Sequence, residues 1–456
     1  MFKKVEIWVL YLVILLGIPL MFGFGFLVRQ ELRGQTKYKG RLTKTALFLA
    51  ELPVNIKKVI VNTKNIDLSV EDRFPSLDGF TGIPNSQESY MLLSRYDGDL
   101  GEGKVELVDL SNFKVLHTWN PDFDGFNKTV NKINEFKFIN RDNNNSRQLL
   151  HHPILIKDGG LLFGWGTPLR KIDECSNLIF QNQHDVFHHS IEIDIDGNIW
   201  APSHMYPQSL PIEKVGRDIR LEGGYSDDAI VKLSPDGNIL FEKSVSQIFI
   251  DNGLEYLLFS VGDSKFAIDP IHLNDIKPVY FDGEFWKKGD VFLSLRHQSM
   301  VLLYRPSTNK IIWKGTGPYF HQHDVDIIND HTISVFNNNS KNFVEDDVVD
   351  GHNEIIIYDF KKNEYSSYLS DNLIKNDVRT RTEGRSQILP NGDLFVEETN
   401  YGRTLYFDSD GSLRWTHVNR ADNGKVYAVA WSRILYNDRD IKIVKNFLKL
   451  RSKCNN

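Results

Sequence analysis

HHSIEIDIDGNIWAPS at residues 188–203, followed by DAIVKLSPDGNILF at 228–241, decides how the fold is read. Each stretch is an apolar or alternating strand, an Asp-Gly turn and a second strand. Asp-Gly supplies the positive φ angles that tight hairpins need. The second stretch, closing on an aromatic residue, has five counterparts: VELVDLSNFKVLHTW (105–119), PLRKIDECSNLIF (168–180), SMVLLYRPSTNKIIW (299–313), NEIIIYDFKKNEYSSY (353–368) and RTLYFDSDGSLRW (403–415). The first also recurs, as SYMLLSRYDG (89–98), HHPILIKDGGLLFGW (151–165), the split pair HLNDI (272–276) and DVFLSLR (290–296), HDVDIINDHTISVF (323–336) and GRSQILPNGDLFVEE (384–398). Two hairpins per unit over six units give about 24 strands, with no sustained helical period between them. The expected fold is therefore all-β, a six-bladed β-propeller, since radial repetition buries both faces of each small sheet and leaves few exposed edges. A pair of β-sandwiches is the structural alternative.

Outside the repeats the chain changes character. Ile7–Val28, IWVLYLVILLGIPLMFGFGFLV, runs 22 residues without a charge, enough to span roughly 30 Å of hydrocarbon as a helix. Arg29-Gln30-Glu31-Leu32-Arg33 follows it in place of the small residues of a cleavage site, which favours an uncleaved anchor over a removed signal. The expected organisation is an anchor at 1–28 with a short cytoplasmic end, a stalk or linker at 29–85, the propeller at 86–436 and a basic tail at 437–456. Six basic residues after the span against two before it would by themselves leave the body in the cytoplasm. The net charge is −6, yet the first 45 residues hold eight basic and two acidic residues, so the body is more acidic than the total suggests. An acidic body argues against nucleic acid as a partner. With only Cys175 and Cys454, neither a disulfide framework nor a cysteine-built metal site is expected, and whether the two meet is open.

Histidine placement is the main functional signal. His152 lies eight residues before Gly160, His189 eight before Gly197, and His323 eight before His331, which takes the glycine's place. In a propeller the first strand of each blade lines the central channel, so equivalent positions converge on the axis. His272 opens the first strand of the intervening unit. Successive side chains alternate faces, so His188 and His189 should point opposite ways. Taken singly, each histidine reads as a hydrogen-bonded structural residue; three in register with a fourth between them read as a site. His117, His204, His297, His331, His352 and His417 lack this register and read as structural or exposed. A helical His-Glu-x-x-His, a Gly-x-Ser-x-Gly elbow and a P-loop are all absent from the sequence. That leaves nucleophilic catalysis by a neutral imidazole beside cationic donors as the attractive chemistry.

Four segments resemble the bacterial arylsulfate sulfotransferases. They are TPLRKIDECSNLIF running into HDVFHHSIEIDIDGNIW, DPIHLNDIKPV, GDVFLSLRHQSMVLLYRPSTNKIIWKG, and HQHDVDIINDHTISVFNNNS. The resemblance covers roughly residues 150–415 and implies a six-bladed propeller that moves a sulfuryl group from one phenol to another without a nucleotide donor. It implies His323 as the nucleophile, forming a sulfohistidine. His189, with His188 as its alternative, His272 and Arg296 would bind sulfuryl oxygens or protonate the departing phenol, and Asn274 would orient substrate or a neighbouring imidazole; His188 and, from its register, His152 join Asn274 as expected substrate-binding residues. It implies aryl sulfate and phenol as partners, no cofactor, no metal, and a body outside the cytoplasmic membrane, in the periplasm. The competing readings are a non-catalytic propeller that binds a ligand or protein, and a metal-dependent propeller hydrolase.

Overall fold

The computed structural model describes residues 6–32, 40–62, 68–131, 134–211, 215, 225–260, 266–342, 347–450 and 454. These fall into two units, one of residues 1–67 with 216–224, the other of 68–215 with 225–456. The first unit holds helix α1 (Ile7–Leu32) and helix α2 (Arg41–Asn62). α1 has the length and composition to cross a membrane, as an anchor or a signal sequence would, and none of its apolar window is buried in the protein. α2 takes in the apolar segment around residues 47–54.

The second unit is built almost wholly of antiparallel strands in a propeller-like arrangement. One four-stranded sheet runs Leu273–Pro278, Val291–Leu295, Met300–Arg305, Lys310–Gly315; a second runs His323–Ile327, Thr332–Asn337, Glu354–Asp359, Glu364–Ser367. A five-stranded sheet adds Gly79–Gly82 outside Arg385–Ile388, Leu394–Glu398, Arg403–Phe407 and Leu413–Val418. In a further four-stranded sheet, Arg433–Leu435 from the chain's end pairs with Tyr90–Asp97, Glu102–Asp109 and Lys114–Trp119 from its beginning. The register Arg433↔Leu92, Ile434↔Met91, Leu435↔Tyr90 ties the first repeat to the last.

Four blade-like sheets therefore stand separate, where six were expected. The second and third repeats are joined into one eight-stranded sheet. The cause is the strand Leu178–Phe187, ten residues long, which overshoots its own repeat. Its end pairs with the next one through Ser203↔Phe187 and His204↔Val186. The expected stalk is also shorter at its far end, because Ser69–Val70 and Gly79–Gly82 pair with Val426–Tyr427 and Leu413–Val418, placing both in the body.

Burial is greatest on the middle strands of the sheets and falls away at an outermost strand. Every residue of Val291–Leu295, Leu394–Glu398 and Arg403–Phe407 is buried, whereas Glu364–Ser367 is exposed throughout. Apolar side chains fill the seams between neighbouring sheets; Met91 and Leu93 meet Phe395, Tyr406 and Trp415 where the last repeat meets the first. At about 25 cal/mol per Å² of apolar surface removed from water, these two-sided seams hold the ring together.

Beyond the last strand the chain forms the helix Asp438–Leu450. Asn437 caps it by accepting the Asp440 N–H at 2.9 Å, which satisfies one of the orphan donors of the first turn. Val444 and Phe447 are fully buried against the body, with Phe447 stacked on Trp119 at 5.0 Å. Cys454 is disulfide-bonded to Cys175 across a sequence separation of 279. A bond closing so long a loop restricts the unfolded chain strongly. Cys175→Ser is expected to lower unfolding stability by about 2–5 kcal/mol and to open the C-terminal helix to proteolysis before the propeller, measured by urea denaturation and limited trypsin digestion.

Candidate functional site

Residues at one end of the innermost strands bring the imidazoles together. His152, His189, His272, His321, Asp324, Glu383 and Trp431 all have left-handed φ angles of 46–57°. Such angles are uncommon for residues with a Cβ, and they persist where the surrounding structure over-determines them. They lie where His189, His272 and His323 come together. His189 is central: its ring centroid lies 5.2 Å from His272, 6.2 Å from His323, 6.2 Å from His151, 5.0 Å from Trp165 and 6.3 Å from Trp431. Imidazoles separated by 38 to 134 residues in sequence thus share one space.

His323 begins the strand His323–Ile327 and is 1% exposed. Its Nδ1 lies 2.6 Å from Asn338 Oδ1 and 3.1 Å from the His321 carbonyl. The Asn338 amide is itself fixed, since its Nδ2 donates to the carbonyls of Thr380 and Glu383. Both neighbours of Nδ1 are acceptors, so the proton sits on Nδ1 and the lone pair on Nε2. That lone pair accepts a long hydrogen bond from the Glu383 N–H at 3.3 Å. Burial, then the nearby Arg296 charge, holds His323 well below the usual imidazole pKa. It is a neutral imidazole with a defined tautomer.

His272 is the more open ring, with 29% of its side chain exposed. Its Nδ1 donates to Asp269 Oδ2 at 2.5 Å and its backbone N–H to Asp269 Oδ1 at 3.1 Å. His297 lies against it at 4.4 Å between centroids. A carboxylate on Nδ1 fixes the orientation of the ring and leaves Nε2 as its free nitrogen. Arg296 is 7% exposed, held through Nη1 by His297 Nε2 at 2.7 Å and through Nη2 by Asp347 Oδ2 at 2.8 Å. Its buried Nε has no hydrogen-bond partner among the described residues. Its positive charge is the second cause, after burial, of the lowered pKa of both His323 and His321, the latter pushed down to about 4. Asn274 donates from Nδ2 to the Gln322 carbonyl at 2.8 Å, next to His323, while its buried Oδ1 is unpartnered among the described residues.

His188 and His189 do not point opposite ways as expected, because the strand ends at Phe187 and His189 takes a left-handed φ of 55°, which brings the two rings together. Their Nδ1 atoms are 2.8 Å apart, but His188 Nε2 is turned to Asp228 Oδ1 at 3.2 Å. Burial, followed by the charge of His204, pushes His188 down to about 4. His189 is held well below the ordinary value by burial and then by the surrounding imidazoles.

The register expected for His152 is displaced by one residue. The left-handed turn residue is Gly159 (φ 90°), matching Gly197 (φ 88°), so the position eight back from the turn is His151. A one-residue offset along a strand reverses the face. His152 is fully buried; its Nδ1 accepts the Ile191 N–H at 3.1 Å and its Nε2 lies 2.9 Å from Arg385 Nη1. Both nitrogens are engaged in holding neighbouring strands, and neither is left for substrate. His151 instead stacks on Trp165 at 4.2 Å, with Nδ1 on the His189 carbonyl at 3.2 Å and Nε2 at 3.3 Å from Glu383 Oε2.

His151, Trp165, Arg381, Glu383, Thr399 and Tyr401 line a cavity of about 400 Å³ beside this cluster. Its walls are partly aromatic, and its charged groups are Arg381 with Glu71 and Glu383. Sequence reasoning missed His151, Asn338, Glu383, Asp269, His204 and His297. The adjacent His151-His152 and the Asn337–Asn339 run were visible signals; Glu383 and Asp269 carried none, since their roles come from loop geometry.

A family description, arylsulfotransferase (ASST), matches residues 146–420. No curated protein sequence matches the chain. Among solved structures it is similar to a protein from Bacteroides caccae (11% identity, 75% of this chain and 98% of that one, TM-score 0.45). It is also similar to TolB from Acinetobacter baumannii (10%, 87% and 73%, TM-score 0.41) and to the WD40 β-propeller domain of Doa1 (11%, 83% and 96%, TM-score 0.36). The ASST match takes in more than half of the sequence and all of the clustered histidines, and the chain belongs to the arylsulfotransferase family.

Proposed function

We propose that the chain transfers a sulfuryl group from an aryl sulfate to a phenol, with His323 Nε2 as the nucleophile. The observation that carries this is the buried, neutral His323 ring with Nδ1–H on Asn338. In the first half-reaction Nε2 bonds to sulfur, the S–O(aryl) bond breaks, and the phenolate takes the His272 Nε2 proton. In the second, the acceptor phenol gives its proton to His272, its oxygen bonds to sulfur, and the S–Nε2 bond breaks. Asp269 steadies the His272 imidazolium. Arg296 and His189 bind sulfuryl oxygens, and Asn274 orients a neighbouring imidazole. The Glu383 N–H that caps Nε2 at rest gives way to sulfur and turns to a sulfuryl oxygen. His188 and His152 act by orienting neighbours. Aryl sulfates carry one negative charge, so this donor set suffices. Alternation between two substrates predicts ping-pong kinetics.

The eight-stranded sheet counts as two blades in this reading, making six with the separate sheets. α1 anchors the chain in the cytoplasmic membrane, and the body lies in the periplasm. The Cys175–Cys454 bond supports an oxidising compartment.

The lowered pKa of His323 sets the pH dependence. A nucleophile whose folded pKa lies below 6.5 remains reactive as pH falls through 6.5 and is lost only when pH reaches the lower value. With 4-nitrophenyl sulfate, whose leaving group needs little protonation, the plateau of kcat/KM should extend below pH 6.5. A half-loss centred at 6.5 would mean an ordinary imidazole and would contradict the assignment.

A further inference from the structure

The pairing that merges the second and third repeats also assembles a cluster that takes no part in the bond-making steps of transfer. His204, the last residue of Ile199–His204, stands directly across from Asp228 in one ladder and from Val186 in the other. Directly opposed residues on adjacent strands place their side chains on one face. His188, two residues past Val186, folds back onto the same face. Its ring lies 4.2 Å from that of His204.

Three ligand atoms converge there. His188 Nε2 is 3.2 Å and His204 Nε2 3.4 Å from Asp228 Oδ1, and all three atoms lie within 4.8 Å of one another. The two N···O separations are short enough for hydrogen bonds, yet His188 Nε2 and Asp228 Oδ1, both buried, have no aligned partner. The side chains therefore aim at a shared point more than at each other. A tetrahedral ion with bonds of about 2.0–2.1 Å holds its ligands about 3.3 Å apart, which is the spacing of both N···O edges. Asp228 is oriented from behind, its Oδ2 accepting the Leu273 N–H at 2.9 Å. His188 is backed by His189, with the two Nδ1 atoms 2.8 Å apart; such outer partners fix the tautomer of a metal-binding imidazole. His204 leaves 42% of its side chain exposed, so an ion has a route in and one position open to solvent.

We infer that His188, His204 and Asp228 form a binding site for a divalent transition ion of the zinc class. Two imidazoles and one carboxylate are the ligand set that such ions favour over calcium or magnesium. With an ion on Nε2, His188 carries its proton on Nδ1 and donates it to His189 Nδ1. His189 then bears its remaining proton on Nε2, as a hydrogen-bond donor. The ion thereby fixes the tautomer of the central ring of the cluster while lying outside the reacting atoms.

The test is metal binding by the whole chain in detergent, stripped with chelator and titrated with Co2+. The expected result is one Co2+ per chain with the visible absorption of a low-coordinate Co2+ ion. His204→Ala should weaken it by at least about 100-fold, Asp228→Asn should weaken it comparably, and His184→Ala and His297→Ala should leave it unchanged. The last two variants probe the other histidine–carboxylate groups, His184–Asp185–Glu242 and Asp269–His272–His297. Absence of stoichiometric Co2+ would overturn the inference. So would unchanged binding in a His204→Ala variant with the circular dichroism of the parent, or loss of binding in His297→Ala alone. The readout is independent of sulfuryl transfer, so neither proposal's failure decides the other.

Discussion

His323→Ala should lower kcat/KM for 4-nitrophenyl sulfate with a phenol acceptor by at least ~10³-fold, or about 4 kcal/mol of transition-state stabilisation, when assayed under conditions where the variant is still folded. His323 is buried, so the shorter side chain leaves a small void and frees Asn338 Oδ1 and the Glu383 N–H. The folding cost of two unpaired groups is about 1–3 kcal/mol each at most, and water filling the void reduces it. On the proposed mechanism the loss of activity is of another kind, since among the described residues no other imidazole has an asparagine carbonyl on Nδ1 with Nε2 left facing the cluster. His272→Ala removes the acid–base group but leaves the nucleophile. Its defect should shrink as the donor's leaving group becomes more acidic, whereas the His323→Ala defect should be independent of the leaving group. Steady-state kinetics over a series of substituted phenyl sulfates separates the two roles.

Glu397→Ala should be the most damaging change to the framework of the site, costing roughly 3–5 kcal/mol in urea unfolding. Glu397 is fully buried in the fully buried strand Leu394–Glu398. Its Oε1 accepts from the Trp431 N–H at 2.6 Å and the Thr399 hydroxyl at 3.0 Å, and its Oε2 accepts from the Ser432 N–H at 2.7 Å. Removing the carboxyl group strands two backbone donors where the last strand returns to the first sheet. Trp431, held there at φ 57°, packs 6.2 Å from His323 and 4.9 Å from His151. Activity should fall along with stability. Glu397→Gln, which retains an acceptor oxygen, should recover part of both. A stability change below 1 kcal/mol in Glu397→Ala would show that the strand closure does not depend on this carboxyl group.

Hairpin periodicity was legible because each strand buries its faces in the same way in every repeat. The turn signals Asp-Gly and Asn-Gly marked where strands end. The merging of two repeats was not legible, because it depends on how far Leu178–Phe187 extends beyond its partner, a length that no turn residue announces. The closure by Arg433–Leu435 came from a stretch too short to show periodicity. At the site, the convergence of His189, His272 and His323 followed from propeller geometry. The His152 register slipped because two glycines, Gly159 and Gly160, stand together and only the structure shows which one adopts the left-handed angle. His204 and His297 were set aside as unregistered; they reach the mouth from the ends of strands other than the innermost, so counting along the innermost strands could not find them. Asn338 and Asp269 act through loop conformation, which spacing does not encode.

The most direct test is rapid mixing of the protein with 4-nitrophenyl sulfate in the absence of a phenol acceptor, followed by peptide mass spectrometry. One equivalent of 4-nitrophenol per chain should appear in a burst, with a sulfuryl group retained on the peptide containing His323 and discharged when a phenol is added. Release of 4-nitrophenol without a burst, or a sulfuryl group found on another residue, would contradict the covalent route through His323.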